Sequence, residues 1–170
     1  MKYVGKNIPR NDGFDKATGL GQFTMDVSMP HMLYARVLRS PYAHAKVVKI
    51  DTSAAEALPG VVTVCTFENT TNKPFNTSAT MVTTPRPAEP VRDQTIFTDE
   101  PKYIGDEVAA VAAETEAIAA EAIKRIKVEY EVLPAVYDPV EALKPDSPEV
   151  QPLYGNKEHH NVCGEIVRVT

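Results

Sequence analysis

One block of this chain, residues 103–136, constrains its fold more than any other segment. It contains the apolar run 108–113, a helical pattern from 115 to about 126, and an alternating pattern over 128–132. The apolar run has no polar alternation, so we expect a strand that is covered on both faces. The block therefore predicts a strand–helix–strand unit built around a buried strand.

The helix in this block has start and face signals of its own. Thr115 is a predicted N-cap, and Ile118, Ala122, Ile123 and Ile126 recur at helical spacing to form one apolar stripe. In the strand that follows, alternation predicts that the apolar side chains face the core and the acidic ones face water. Those core-facing residues are Val128, Tyr130 and Val132.

Phosphate-binding chemistry is not indicated at the start of this helix. Dinucleotide binding needs a glycine-rich loop between the strand and the helix, whereas Gly105 precedes the strand. The sequence also lacks a P-loop and the nucleophile-elbow glycines of a serine hydrolase. We therefore interpret the block as scaffold.

The rest of the chain divides by composition. Residues 1–31 hold scattered glycines, prolines and charges, which predicts an extended N-terminal arm with turns; residues 32–170 form the domain. Within it, 33–38, 46–50 and 61–66 are predicted strands, and a long polar, proline-rich loop spans 68–102. Because the strands and helices do not alternate regularly, we expect an α+β domain with mixed sheets and two main helices.

Two short helices are predicted from capping patterns. Ser53 and Glu56 have capping-box spacing, so a helix is expected to begin near Ser53. Asp138, Pro139 and Glu141 read as a cap, a first-turn proline and a third-position acid, opening a second short helix.

The charge pattern disfavours two classes of partner. The 18 basic and 23 acidic residues give a net charge of −5, and the basic ones form no stripe, so nucleic acid and anionic membranes are not expected partners. No apolar run approaches the roughly 20 residues that span a bilayer. The first residues lack the apolar core of a signal peptide, which predicts a cytoplasmic protein.

The candidate metal ligands are few. Cys65 lies in a β-branched strand, where a small buried hydrophobic residue is the expected role. His159, His160 and Cys163 could supply two or three soft ligands, but a closed zinc site needs four. A surface turn with incidental histidines is the simpler interpretation.

Four other polar residues could serve a site. Asp106 and Glu107 precede the buried strand, where the alternatives are a turn with local hydrogen bonds and an acid–base role. His44 is either a hydrogen-bonded structural histidine or a contact to a neighbouring domain. Arg39 could hold a loop carbonyl or an acid of a partner.

Ordered motifs along nearly the whole chain resemble one family. The motifs are Gly5-Lys6, Arg10-x-Asp12-Gly13, Lys16-x-x-Gly19, Met32-Leu-Tyr-Ala-x-Val-Leu-Arg39-Ser-Pro41-x-Ala43-His-Ala45, Ile50-Asp51, Ala57-Leu-Pro-Gly-Val61, Gly105-Asp-Glu-Val108-Ala-x-Val111-Ala-x-Glu114, Val128-Glu-Tyr-Glu131 and Leu133-Pro134. Together they resemble the N-terminal α/β-hammerhead domain of the xanthine dehydrogenase and aldehyde oxidase family, in its molybdopterin-binding large subunit.

The resemblance implies an enzyme larger than this chain. Such enzymes hydroxylate a heteroaromatic or aldehyde carbon at a molybdenum–molybdopterin centre, and electrons pass through iron–sulfur clusters, often to FAD on partner domains or subunits. In the family, the catalytic glutamate and the pterin contacts lie in domains that follow the hammerhead. We therefore expect a non-catalytic N-terminal fragment with no catalytic, cofactor-binding or metal-ligating residue of its own.

The expected partners are the molybdopterin-binding domains of the same protein and the iron–sulfur and FAD subunits, with homo-oligomerisation through an exposed apolar patch as a further expectation. Two alternatives stay open from the residues alone. One is a free-standing interaction module that uses the 68–102 loop. The other is a small metal-binding protein built on Cys65, Cys163 and the His159–His160 pair.

Overall fold

The computed structural model describes residues 4–75, 92, 94–150 and 161. The chain divides into two compact units, Met1–Met32 and Leu33–Thr170. The helices and strands, in chain order, are α1 Gly13–Thr18, a 3-10 helix Thr24–Asp26, β1 Tyr34–Arg39, β2 Ala45–Asp51, α2 Ser53–Glu56, β3 Val61–Thr66, β4 Glu107–Ala113, α3 Glu116–Arg125, β5 Lys127–Val132 and α4 Pro139–Ala142.

The first unit holds only short elements. The N-terminal segment, which the sequence predicted to be extended with turns, contains the six-residue helix α1. This helix is followed by Gly19, whose backbone is in the left-handed conformation typical of helix C-caps. Asp12 pairs with Lys16 and accepts from Arg10, and these two cations, Lys16 more than Arg10, lower the pKa of its carboxyl. None of the residues 4–32, the described part of this unit, is buried, so this part forms no hydrophobic core.

The second unit contains two antiparallel sheets. The first has the order β1-β4-β3, and the second pairs β2 with β5. β4 is therefore the central strand of its sheet, as its unbroken apolar sequence indicates. This arrangement confirms the α+β class. The predicted mixed sheets are wrong, because every strand pair in the described sheets is antiparallel.

One face of the three-stranded sheet carries the main core. Val64, Ala109 and Val111 are buried there against Ala122 and Ile126 on the α3 side. Burying a valine side chain stabilises the fold by roughly 1.5–3 kcal/mol. The predicted apolar stripe of α3 thus packs on this sheet, although Ile118 and Ile123 remain partly exposed.

The caps of the longer helix and the last helix are as predicted. Thr115 accepts a hydrogen bond from the Ile118 amide at 3.2 Å, and Asp138 accepts from Val140 and Glu141 at 2.7 and 3.2 Å. Each side-chain oxygen satisfies amides that the first helical turn leaves unpaired.

The predicted helix near Ser53 is confirmed, since α2 begins at that residue. Its predicted cap is wrong: Ser53 is the first helical residue, and Asp51 accepts from both the Ser53 amide and hydroxyl. The predicted core position of Val132 is also wrong, because Val132, at the end of β5, is 61% exposed.

Candidate functional site

The polar candidates that precede β4 come together in one turn, residues 102–107. The Gly105 amide donates to the Ser40 carbonyl oxygen, and the Ser40 amide donates to the Asp106 carbonyl oxygen, both at 2.8 Å. Gly105 has φ +99°, a left-handed conformation that side chains disfavour. The buried Ser40 therefore fixes this turn against the end of β1.

Arg39 holds the same turn from the side. Its Nη1 donates to the Gly105 carbonyl oxygen at 2.7 Å and to Glu107 Oε1 at 2.6 Å. A register shift between Leu38 and Arg39 places Arg39 opposite Glu107. Arg39 thus binds a loop carbonyl, as one sequence alternative stated, and its acidic partner belongs to this chain.

Asp106 accepts hydrogen bonds from its own turn. Its Oδ2 accepts from the Lys102 amide at 2.9 Å, and its Oδ1 accepts from the Glu107 amide at 3.1 Å. Burial raises the pKa of the Asp106 carboxyl above its ordinary value, the neighbouring Glu107 charge adds to the rise, and the two amides oppose it. The geometry is that of the local-turn alternative.

Tyr103 lies beside these carboxylates. Its hydroxyl donates to Glu107 Oε2 at 3.4 Å. Burial raises the pKa of the Tyr103 phenol, and the charges of Asp106 and Glu107 raise it further. The phenol therefore stays a neutral donor at physiological pH.

His44 joins three segments just before β2. Its Nδ1 donates to the Pro134 carbonyl oxygen at 2.8 Å, and its Nε2 lies 3.3 Å from Glu100 Oε1, a contact that is an ion pair when the imidazole is protonated. The side chain is 18% exposed. His44 thus has structural partners within the chain, which is the structural alternative.

A shallow apolar cavity of about 250 Å³ lies next to His44. Tyr103, Ile104, Pro134 and Tyr137 contribute to its walls, and Tyr137 is 80% exposed. A cavity of this size holds one or two side chains. A larger cleft of about 740 Å³ is lined by Tyr103, Asp106 and Glu107, whose polar groups are already bound to one another, to backbone amides or to Arg39.

The candidate metal ligands do not form a site in the part of the chain that the structure describes. Cys65 is a free thiol on β3 and is half-buried, whereas the sequence predicted a buried side chain. His159, His160 and Cys163 lie outside the described residues. Within the described ranges, no group of three or more histidine, cysteine or acidic side chains could hold a metal ion.

The long polar loop is described only at its two ends. Phe75 and Gln94 exchange backbone hydrogen bonds at 2.7 and 3.2 Å and form an isolated antiparallel bridge. Residues 76–91 lie outside the described residues, and with them the expectation that the loop contacts an outside partner.

The polar network of the 102–107 turn favours a structural role. Arg39, Asp106 and Glu107 each bind a backbone group or a charge of this chain, and acid–base catalysis instead needs a group that is positioned to reach a substrate proton.

Sequence reasoning missed a different feature, a set of uncharged residues on the side of β1 and β3 that faces away from α3. The signal was present in Ala35, Val37, Thr63 and Cys65, which carry no charge.

Comparison with known proteins identifies the fold. Residues 18–134 match the family described as aldehyde oxidase and xanthine dehydrogenase, a/b hammerhead domain. The chain belongs to this family. The resemblance drawn from the ordered motifs is confirmed.

Relatives of this hammerhead domain are named for different activities. The chain is 37% identical over 150 residues to a protein of Escherichia coli K12 named probable hypoxanthine oxidase XdhD, covering 88% of this chain and 15% of that protein. It is 36% identical over 151 residues to the carbon monoxide dehydrogenase large chain of Hydrogenophaga pseudoflava, covering 84% and 18%.

A solved structure gives the same architecture. The aldehyde oxidoreductase from Desulfovibrio desulfuricans ATCC 27774 matches with a TM-score of 0.77 and 31% identity, covering 93% of this chain and 17% of that one. This chain thus spans about one sixth of the length of these relatives. Among the described residues, no helix is long and apolar enough to cross a membrane.

Proposed function

We propose that this chain is the N-terminal structural domain of a molybdenum hydroxylase large subunit. The observation that carries the proposal is the family match over residues 18–134, together with relatives whose names include hypoxanthine oxidase and carbon monoxide dehydrogenase. The domain boundary that we propose lies between the arm, 1–31, and the hammerhead domain, 32–170.

The whole enzyme, in this proposal, hydroxylates a heteroaromatic or aldehyde carbon with oxygen that comes from water. A molybdenum–molybdopterin centre would supply the oxidising chemistry when bound. The proposed partners are the molybdopterin-binding domains of the same polypeptide and subunits or domains that carry iron–sulfur clusters and FAD. The proposed location is the cytoplasm.

The described residues of this chain do not fit the molybdenum centre. The cavity beside His44 holds about 250 Å³. A larger cleft of about 740 Å³ is lined by Asp106 and Glu107, but both acids are engaged by backbone amides or Arg39 of this chain, and within the described ranges no group of three or more metal-ligating side chains could hold a metal ion. The buried core cluster of the domain is aliphatic, and its side chains pack helix α3 against the three-stranded sheet. The role that these residues support is mechanical: a folded layer that packs beside a reaction centre.

The proposal is tested on the open reading frame that includes this chain. A frame that continues past Thr170, and whose product retains molybdenum after gel filtration, supports the proposal. A frame that stops at Thr170, or a longer product without molybdenum, contradicts it. The 170-residue chain should show no turnover of xanthine, nicotinate, benzaldehyde or carbon monoxide, and turnover by it alone would also contradict the proposal.

A free-standing interaction module is the second candidate function. The observation that favours it is the apolar cavity with the exposed Tyr137 and Ile104 at its rim, since aromatic-lined cavities often receive anchor side chains of partners. If a stop codon follows Thr170, the test becomes binding to proteins other than a molybdenum subunit. The substitution Tyr137→Ala should then weaken that binding.

A further inference from the structure

The three-stranded sheet has one face that this chain leaves uncovered. Backbone pairing fixes its composition, because residues directly opposite each other in an antiparallel sheet lie on the same face. Ala110 pairs with Val37 and with Cys65, and Ala112 pairs with Ala35 and with Thr63. We call these six residues the open face: Ala35, Val37, Thr63, Cys65, Ala110 and Ala112.

The two faces of β4 differ in burial. On the helix side Ala109, Val111 and Ala113 are fully buried, whereas Ala110 and Ala112 on the open face are only half-buried. On the flanking strands, Val37 is 41% exposed and Thr63 is exposed. Among the described residues, therefore, no layer covers the open face as α3 covers the opposite one.

The sequence of this face is that of a buried surface. The water-facing positions of an antiparallel sheet are normally polar or charged, and 24% of the residues in this chain are charged. Yet none of the six open-face residues is charged. The charged residue that alternates with Ala35 and Val37 is Arg39, at the end of β1, and it is neutralised by Glu107 of β4. The unbroken apolar run of β4 indicates coverage on both faces, and the described residues supply it on one.

The side chains of the open face are also small. Three are alanine, one is cysteine, and Thr63 and Val37 are short and β-branched. A flat surface of this kind allows a second layer to pack at the usual spacing of about 10 Å between packed sheets. A lysine-rich or acidic partner would gain little from it, because the six side chains carry no charge and Arg39, at the end of β1, is already paired with Glu107.

We propose that the open face packs against the part of the large subunit that lies outside this chain. This inference rests on the proposed function. The solved aldehyde oxidoreductase shares the fold at a TM-score of 0.77, and this chain covers only 17% of it, so most of the relative's polypeptide is available to form a covering layer. The partner is an apolar, uncharged surface of the same polypeptide.

The face carries its own probe, Cys65. The chain has two cysteines, so the substitution Cys163→Ser leaves Cys65 as the single thiol of the 170-residue chain. In that background, the rate of maleimide labelling is measured on the folded chain and on the complete large subunit. For the subunit, labelled Cys65 is quantified by peptide mass spectrometry.

We expect rapid labelling in the 170-residue chain and at least about tenfold slower labelling in the complete subunit, since a buried thiol reacts only after local opening. Equal rates would overturn the proposal. Slow labelling of the chain at every concentration would show that its own segments cover the face. Protection that grows with chain concentration would assign the face to a second copy. Either result overturns the proposal.

A matched pair of variants gives the second readout. Ala112→Glu places a charge on the open face, whereas Val48→Glu places one on β2 of the other sheet, where Val48 is 63% exposed. Both 170-residue variants should keep the circular dichroism of the parent chain. In the complete subunit, Ala112→Glu should lower the yield of folded protein at least about fivefold, and Val48→Glu should not, because burying an unpaired charge is costly.

Equal yields of the two variants would overturn the proposal. Molybdenum content separates this failure from failure of the proposed function. A complete subunit that holds molybdenum but leaves Cys65 reactive contradicts the docking surface alone. A complete polypeptide that lacks molybdenum contradicts the proposed function, whatever the labelling rate of Cys65.

Discussion

Single residues decide the turn before β4. The Asp106 carboxylate accepts from the amides of Lys102 and Glu107 while it is half-buried. Burial and the Glu107 charge outweigh these amides, so the pKa of Asp106 is raised above its ordinary value of 3.8. A raised pKa means that ionised Asp106 costs the folded state free energy.

The first prediction is the resulting pH dependence. Because the folded pKa of Asp106 is raised, its contribution favours folding at low pH and is lost as the pH rises from 3.8 through the folded pKa. Asp106→Asn cannot ionise and leaves one of the two amides without an acceptor, which costs about 1 kcal/mol. Urea unfolding of both proteins should show that the stability difference shrinks as the pH rises. An unchanging difference would contradict the pKa assignment.

The second prediction concerns Gly60, where the chain turns into β3. Its φ is +88°, and an added Cβ would lie 2.6 Å from Ile118 Cδ1. Gly60→Ala should therefore cost roughly 1–2 kcal/mol in backbone strain, with a smaller added cost for displacing the terminal methyl of Ile118. Gly105→Ala is the control, since its φ is +99° but no atom lies within 4 Å of the added Cβ.

The contact part of the Gly60 effect is separable. Ile118→Val removes Cδ1, so the double variant Gly60→Ala/Ile118→Val should recover part of the loss relative to the sum of the single variants. Free energies of unfolding in urea give the coupling. Additive effects would show that backbone strain alone accounts for the cost at Gly60.

At the scale of elements, α3 is the helix whose start was most predictable. Its cap, Thr115, precedes the first helical residue and has extended backbone angles, and its side chain accepts from Ile118 at 3.2 Å. At the other end, Lys124 and Arg125 lie in the last turn, where positive charge interacts favourably with the helix dipole. These signals are local, and the sequence shows them directly.

The third prediction follows from this cap. Thr115→Ala should lower the free energy of unfolding by about 1 kcal/mol, and the Ile118 amide should exchange faster with deuterium. Thr115→Ser keeps an acceptor oxygen and should be close to the parent chain. If the serine and alanine variants lose equal stability, the hydroxyl does not cap the helix.

Not every cap was visible in the sequence. Ser53 and Glu56 have capping-box spacing, yet Asp51 accepts from Ser53, and Thr52 donates to Glu56 at 2.8 Å. The hydrogen bonds from Ser53 lower the pKa of the Asp51 carboxyl. Three neighbouring polar residues offered competing caps, and the path of β2 into the turn selected among them.

At the scale of the whole molecule, the buried core lies within the second unit. All described buried hydrophobic residues come from Ala45 onward, and the first unit, Met1–Met32, buries none of its described residues. Unit 1 still exposes large apolar side chains, with Met25 at 97% and Phe14 at 72%.

The fourth prediction is that a chain beginning at Leu33 keeps the hammerhead fold. Since the truncation removes no described core residue, unfolding should stay cooperative, with a free energy within about 1 kcal/mol of the parent chain. Nitrogen-15 correlation spectra of the two proteins should superimpose for β4 and α3. A truncated chain with collapsed amide dispersion would contradict the proposed boundary.

The sequence by itself determined the local elements and the family. The α3 and α4 caps, the three strands of the first sheet and the ordered family motifs depend on residue type and spacing, which any reader of the chain can see. Tertiary structure alone decided that β1 and β3 flank β4, that β2 pairs with β5, and that Val132 is exposed. Alternation predicts which residues share a face of a strand, but what covers that face depends on contacts between residues far apart in the chain.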